Sequence, residues 1–254
     1  MIGHQWTAVH RGPALAIELP GEVVDFLQFI GVNWPQVNED HVREFASHVR
    51  DFATNIDGTH QQAGETIKAM GDAYQANSYD LLVSKWAHLS QGHMSDLLNA
   101  CHALATALDA AAGYIVAMKL ECIAELTAMA IAFAADQAAA VATLGLAEAA
   151  VALVIKGAEA AVDFLQQQLV QYIIAQVVEA ALTPLLGVIE KAVAGMTYSA
   201  LEDMLGVSGT GTGDGFRIHP EELDAHAKVF AQHAEAVKGH AQTFSGNIAG
   251  LDFT

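Results

Sequence analysis

The sequence predicts an all-α protein, an elongated bundle of long antiparallel helices, and three observations carry that expectation. Only five prolines interrupt 254 residues. Alanine, the best helix former, dominates the middle of the chain. A helical motif also occurs twice, as His41-Val-Arg-Glu-Phe45-Ala46-Ser-His48 and as His226-Ala-Lys-Val-Phe230-Ala231-Gln-His233, with Pro35 and Pro220 six residues ahead of the copies. Apolar residues follow a 3–4 spacing in both. The first copy has Val42, Phe45, Val49, Phe52 and Ile56; the second has Leu223, Ala227, Phe230, Ala234, Val237, Ala241 and Phe244. That is the seam of a helix built to lie along another helix.

Element by element, residues 1–16 read as an extension, and 17–30 as a short amphipathic segment that starts after Pro20-Gly21 and ends at Gly31. Trp34-Pro35 opens the next helix, with Asn38 or a neighbour as cap and Glu39 and Asp40 in its first turn. This helix is expected to run to about Met70-Gly71, with Gly58 and Gly64 weakening it by about 1 kcal/mol each. Residues 71–78 are the expected turn, and 79–143 a very long helix bent near Gly92 or Gly113. Leu144-Gly145-Leu146 marks a break, and Thr183-Pro184 a second one. A last helix of the body is expected over 185–205, then a Gly-rich linker over 206–215, then the second motif copy as a half repeat over 216–254. The domains so read are 17–205 and 216–254. A lone seam of that length relies on packing. It folds back on the body, pairs with another chain, or belongs to a longer product.

Composition narrows the function classes. Twenty-nine acidic against eleven basic residues give a formal charge of −18, which repels nucleic acid and anionic lipid. Cys101 and Cys122 fall in one helical stretch, roughly 30 Å apart at ~1.5 Å per residue, so they read as buried apolar residues and not a disulfide. The first twenty residues contain His4, His10, Arg11 and Glu18, which argues against a signal peptide. Glu121, Glu125, Asp136, Glu148, Lys156, Glu159, Asp163 and Glu179 punctuate the apolar middle, so no stable membrane span is expected.

No phosphate-binding loop, Gly-x-Ser-x-Gly or His-Glu-x-x-His occurs, and no enzymatic site, cofactor or metal centre is expected. His219, His226, His233 and His240 recur every seven residues. Successive members lie about 10 Å apart along a helix, too far to share an ion, so they read as residues flanking the seam.

The segment from Ile17-Glu-Leu-Pro20 through Trp34-Pro35, Glu39-Asp40 and on to Trp86 resembles the N-terminal WXG-like domain of actinobacterial type VII (ESX) secretion substrates, in particular the targeting domain that precedes polymorphic toxins. In that resemblance Trp34 and Pro35 open the first helix and Trp86 packs on the second. The Trp-x-Gly turn reads Tyr74-Gln75-Ala76. A second element of the resemblance is Tyr-x-x-x-Asp/Glu. Of the five tyrosines only Tyr198 has an acid four residues on, Glu202, with Asp203 beside it. The i,i+4 spacing puts phenol and carboxylate on one helical face.

The resemblance implies a non-enzymatic targeting and docking module, the N-terminal part of a larger secreted effector or toxin. It implies export without a cleaved signal peptide after a cytoplasmic stage. The implied partners are a small WXG-type helical hairpin or chaperone, which covers seam residues Val42, Phe45, Val49, Phe52, Leu223, Phe230, Val237 and Phe244, and later the type VII secretion ATPase. The alternative is a membrane-active, pore-forming protein whose Ala-rich helices (126–189) insert into a bilayer.

Overall fold

Local rules start the first two helices, although the second begins at Glu39, four residues after the Trp34-Pro35 expected to open it. In this computed structural model, which describes residues 17–75, 77–143, 148–188 and 217–253, α1 is Gly21–Ile30. The Pro20 carbonyl accepts the N–H groups of Val23 and Val24 at 3.0 Å. Gly31 ends α1 with φ 76°, a left-handed turn that glycine adopts without a Cβ clash. Helix α2 is Glu39–Ala73. Asn38 caps it, with Oδ1 accepting the N–H groups of Asp40 (3.0 Å) and His41 (3.2 Å).

The chain turns through a two-residue strand, β1 (Tyr74–Gln75), into α3 (Asn77–Leu89). A π-helical turn over Ser90–Met94, which contains Gly92, leads into α4 (Ser95–Thr143). Helix α5 is Glu148–Tyr172, followed by π-helix over Ile173–Leu182. Beyond residue 216 come β2 (Arg217–Ile218) and α6 (Pro220–Ala249). Strands β1 and β2 pair antiparallel, Tyr74 with Ile218 and Gln75 with Arg217. Apart from this bridge the described elements are helical, and the fold is all-α.

One break differs from expectation. The chain stays helical through Thr183-Pro184 to residue 188. A proline inside an α-helix clashes with the carbonyl four residues back and leaves it without a donor. Here the wider π register precedes it, and Thr183 gives both its N–H and its hydroxyl to the Val178 carbonyl. The break at 144–146, the helix end at 189–205 and the linker at 206–215 lie outside the described residues.

Two compact units share these helices. The first comprises the described parts of Met1–Val42, Ala112–Val170 and Asp252–Thr254. Val23, Phe26 and Leu27 of α1 are buried in it, with Ile115 and Leu126 of α4 and Val162, Leu165 and Leu169 of α5. Its α4 and α5 stretches run antiparallel. Tyr114 donates to Gln168 at 3.4 Å, Cys122 Sγ–H to the Ala161 carbonyl at 3.7 Å, and Met129 lies against Gly157.

The second unit comprises Arg43–Ala111 and the described parts of Gln171–Leu251. Buried in it are Ala46, Val49, Ala53, Ile56, Ala63 and Ile67 of α2, Cys101, Leu104, Ala105 and Leu108 of α4, and Val177, Ala181 and Leu185. Burial pushes the thiols of Cys101 and Cys122 up to about 11, with Glu125 and Glu121 adding to the effect at Cys122, so both stay protonated and inert.

Candidate docking surfaces

The start of α2 is anchored by a contact that sequence reasoning missed. Glu39 is 0% exposed, and its Oε2 accepts Lys119 Nζ at 2.6 Å. Its Oε1 accepts the Ile17 N–H at 2.8 Å, and Lys119 also donates to the Val37 carbonyl. Burial pushes the Glu39 pKa up, but the hydrogen bonds from Lys119 and from backbone N–H groups, with the Lys119 charge, outweigh it. The net result lies below the ordinary 4.5. The available signal was Lys119 itself, the only Lys or Arg between Lys85 and Lys156. The C-terminal residues close the same region. The Phe253 carbonyl accepts the Asn38 N–H at 3.2 Å, and His41 Nδ1–H donates to the Asp252 carbonyl. Trp34 and Pro35 are half-buried and line a cavity of about 450 Å³ with Ile17, Leu19 and Val24.

The α2–α3 corner is held by aromatic residues lying against glycines. Trp86 Nε1 sits 3.4 Å from where a Cβ on Gly64 would be, and Tyr79 Oη 2.6 Å from one on Gly71. Tyr79 also donates to the Ile67 carbonyl at 3.1 Å. Each glycine thus offsets its helix cost by admitting a ring against the backbone, a role the reading of Gly64 as a weak point did not contain. Tyr79 and Gly71 were missed as a pair. Their shared spacing of seven with Trp86 and Gly64 was the available signal. Trp86 stacks on His60 (ring centroids 4.5 Å) and meets Phe230 edge-on at 6.0 Å. Burial lowers the His60 pKa, partly opposed by Asp57. Tyr74 is half-buried in β1, and Ala76 lies outside the described residues.

The two motif copies are placed differently. On α2, Val42 and Val49 are buried and Phe45 and Phe52 half-buried. On α6, Leu223, Phe230 and Phe244 are half-buried, Val237 is 41% exposed, and no residue is buried. In the second unit α6 folds back on α2. Phe244 stacks on Phe52 at 4.8 Å, His240 Nε2 bonds Thr59 Oγ at 2.9 Å, and His233 Nε2 lies 3.3 Å from Thr66 Oγ. The histidines therefore sit on the packed face, while the seam residues Ala227, Ala234 and Ala241 are exposed. The reason is register: Thr59 and Thr66 are spaced by seven, as are His240 and His233. Thr66 gives its proton to the Gln62 carbonyl, which leaves its oxygen to accept His233 Nε2–H. Among the described residues no group of three or more His, Cys, Asp and Glu is arranged to hold a metal.

Tyr198, Glu202 and Asp203 lie outside the described residues. Large apolar side chains are exposed elsewhere, including Phe29 (66%), Ile131 (65%), Leu153 (72%) and Phe164 (55%). One helix, Val151–Val188, is long and apolar enough to cross a membrane, with a mean hydropathy of 1.6 over its best window and 22% of that window buried. Lys156, Glu159, Asp163 and Glu179 interrupt that helix.

The described residues thus form long helices with an aromatic corner, a capped first long helix and exposed apolar side chains. The chain belongs to the WXG100 like domain family, whose pattern matches residues 13–158. It is thereby a type VII secretion-related helical protein. Members of this family are generally non-enzymatic and work in helical-hairpin partnerships. No curated protein and no solved structure matches the chain.

Proposed function

We propose that this chain is a type VII secretion substrate that docks helical partners and carries no catalysis of its own. The match over residues 13–158 supports this reading most directly. In this reading the chain is held in the cytoplasm by a small WXG-type hairpin partner and leaves without a cleaved signal peptide. The secretion ATPase reads Tyr198, Glu202 and Asp203, and the chain targets an effector or toxin for export. The domain bodies proposed are 17–205 and 216–254. Measuring culture supernatant of the native host for wild type and Tyr198→Ala tests the reading. Export of the wild type with retention of the variant supports it; equal secretion of both overturns the signal.

A second reading, a membrane-active protein, is favoured by the helix Val151–Val188, most of whose apolar window is unburied. Dye release from liposomes at acid pH by the whole chain would support it. The carboxylates Glu159, Asp163 and Glu179 within that helix favour the first reading.

A further inference from the structure

In the first unit, the space between α1 and α4 forms an apolar groove of about 450 Å³. Its floor is aromatic: Phe133 lies 5.3 Å from Phe26 and 5.0 Å from Phe29, with rings tilted in both pairs. Phe29 and Ile131 line it from opposite sides, and each is about two-thirds exposed. We propose that this groove receives an amphipathic partner helix whose apolar edge is flanked by lysine or arginine. The proposal rests on the reading of the chain as a helix-docking protein, and needs nothing from the export signal.

Three features of the groove select that occupant. The first is size. Its lining on α1 runs from Glu22 to Phe29, about 10 Å at ~1.5 Å per residue, so the groove takes about two turns of a helix laid along it. Ala130 and Ala134, one turn apart on the α4 wall, leave room for a close backbone approach. The second is charge. Glu22 and Asp25, at i,i+3 on α1, are the charged residues lining it, and no base joins them. Among the described residues neither carboxylate has an ionic partner. Cationic flanks would meet them, and the charge of −18 speeds the approach of a basic helix.

The third feature separates a foreign helix from the other apolar surfaces available. A second copy docking through the same face would bring two acidic rims together, since a twofold contact repeats one patch on both sides. An anionic bilayer meets the same repulsion.

The test uses the full chain and two synthetic amphipathic peptides with the same leucine edge, one flanked by lysine and one by glutamate. Fluorescence anisotropy gives the Kd of each for wild type, Ile131→Glu, Phe29→Ser and the pair Glu22→Gln/Asp25→Asn. The lysine peptide is expected to bind wild type about tenfold tighter than the glutamate peptide or more. Ile131→Glu is expected to lose that binding with an unchanged thermal melt, because its side chain faces solvent, and Phe29→Ser to lose it with a slightly lowered melt, because Phe29 also packs on Phe133. The paired carboxamide variant is expected to erase the preference between peptides and flatten the salt dependence.

Equal affinity for both peptides, no binding to wild type, or unchanged binding to Ile131→Glu would overturn the proposal. So would a dimer in size-exclusion chromatography that Ile131→Glu dissolves, because the groove would then belong to a second copy. Failure of the peptide arm while Tyr198→Ala still blocks export removes the groove and leaves the targeting reading in place.

Discussion

Helices α2 and α6 begin with the same histidine-phenylalanine-alanine-histidine pattern, yet their depths in the fold are opposite. Ala46 of α2 is 0% exposed, whereas Ala231, its counterpart in α6, faces solvent. Aligning the copies explains the difference. Where α2 has Val42, Val49 and Ile56, α6 has Ala227, Ala234 and Ala241. At about 0.8 kcal/mol per buried CH₂, those three exchanges remove on the order of 5–6 kcal/mol of driving force. A shared motif therefore specifies which positions of a helix are aligned; the register of the partner decides which side packs, and the positions that α2 buries with Val42, Val49 and Ile56 face solvent in α6. The acidic residues two positions ahead of each motif copy differ in the same way. Glu39 is sealed against Lys119, while its counterpart Asp224 pairs with Lys228 across one exposed helical turn at 2.6 Å.

The largest test of this contrast is Lys119→Ala, which leaves Glu39 buried without a countercharge. A loss of about 3–5 kcal/mol is expected in urea unfolding at neutral pH. The sign with pH follows from the lowered Glu39 pKa: its contribution is present above 4.5 and is lost as pH falls through the folded value. The gap between wild type and Lys119→Ala should therefore narrow in acid, and a constant gap would count against the buried pair.

Ile56→Ala in α2 comes next, at about 2–5 kcal/mol, from lost burial and the cavity left behind. The reverse exchange in α6, Ala241→Ile, should change stability by less than about 0.5 kcal/mol, since that position is exposed. Thr59→Val removes the bond to His240 and should cost about 1 kcal/mol. The smallest effect is Lys228→Ala, expected at about 0–1 kcal/mol because its ion pair is solvated. A ranking in which Lys228→Ala rivals Lys119→Ala would erase the distinction between the copies.

Much of the helical layout was legible in local chemistry. Pro20, Gly31 and Asn38 act within a few residues of themselves, so the ends they set could be read directly. The π turn at Gly92 likewise lies where a long helix contains its weakest residue. What escaped was set by partners distant in sequence. Glu39 reads as an ordinary first-turn acid until Lys119, eighty residues on, meets it. Gly71 reads as a turn residue until Tyr79 occupies the space a Cβ would fill. Pro184 reads as a stop because proline rules assume the α register, and the π register upstream removes that assumption. The histidine repeat read as flanking because the seam was drawn through α6 alone. Thr59 and Thr66 on α2 set which side of α6 packs.

Native-state hydrogen exchange of the whole chain measures the difference between the copies most directly. Amides of Ala46–Ile67 in α2 are expected to exchange only through global unfolding, and those of Phe230–Phe244 in α6 through a cheaper local opening that leaves α2 protected. Equal protection of the two helices, with a common response to denaturant, would contradict the account.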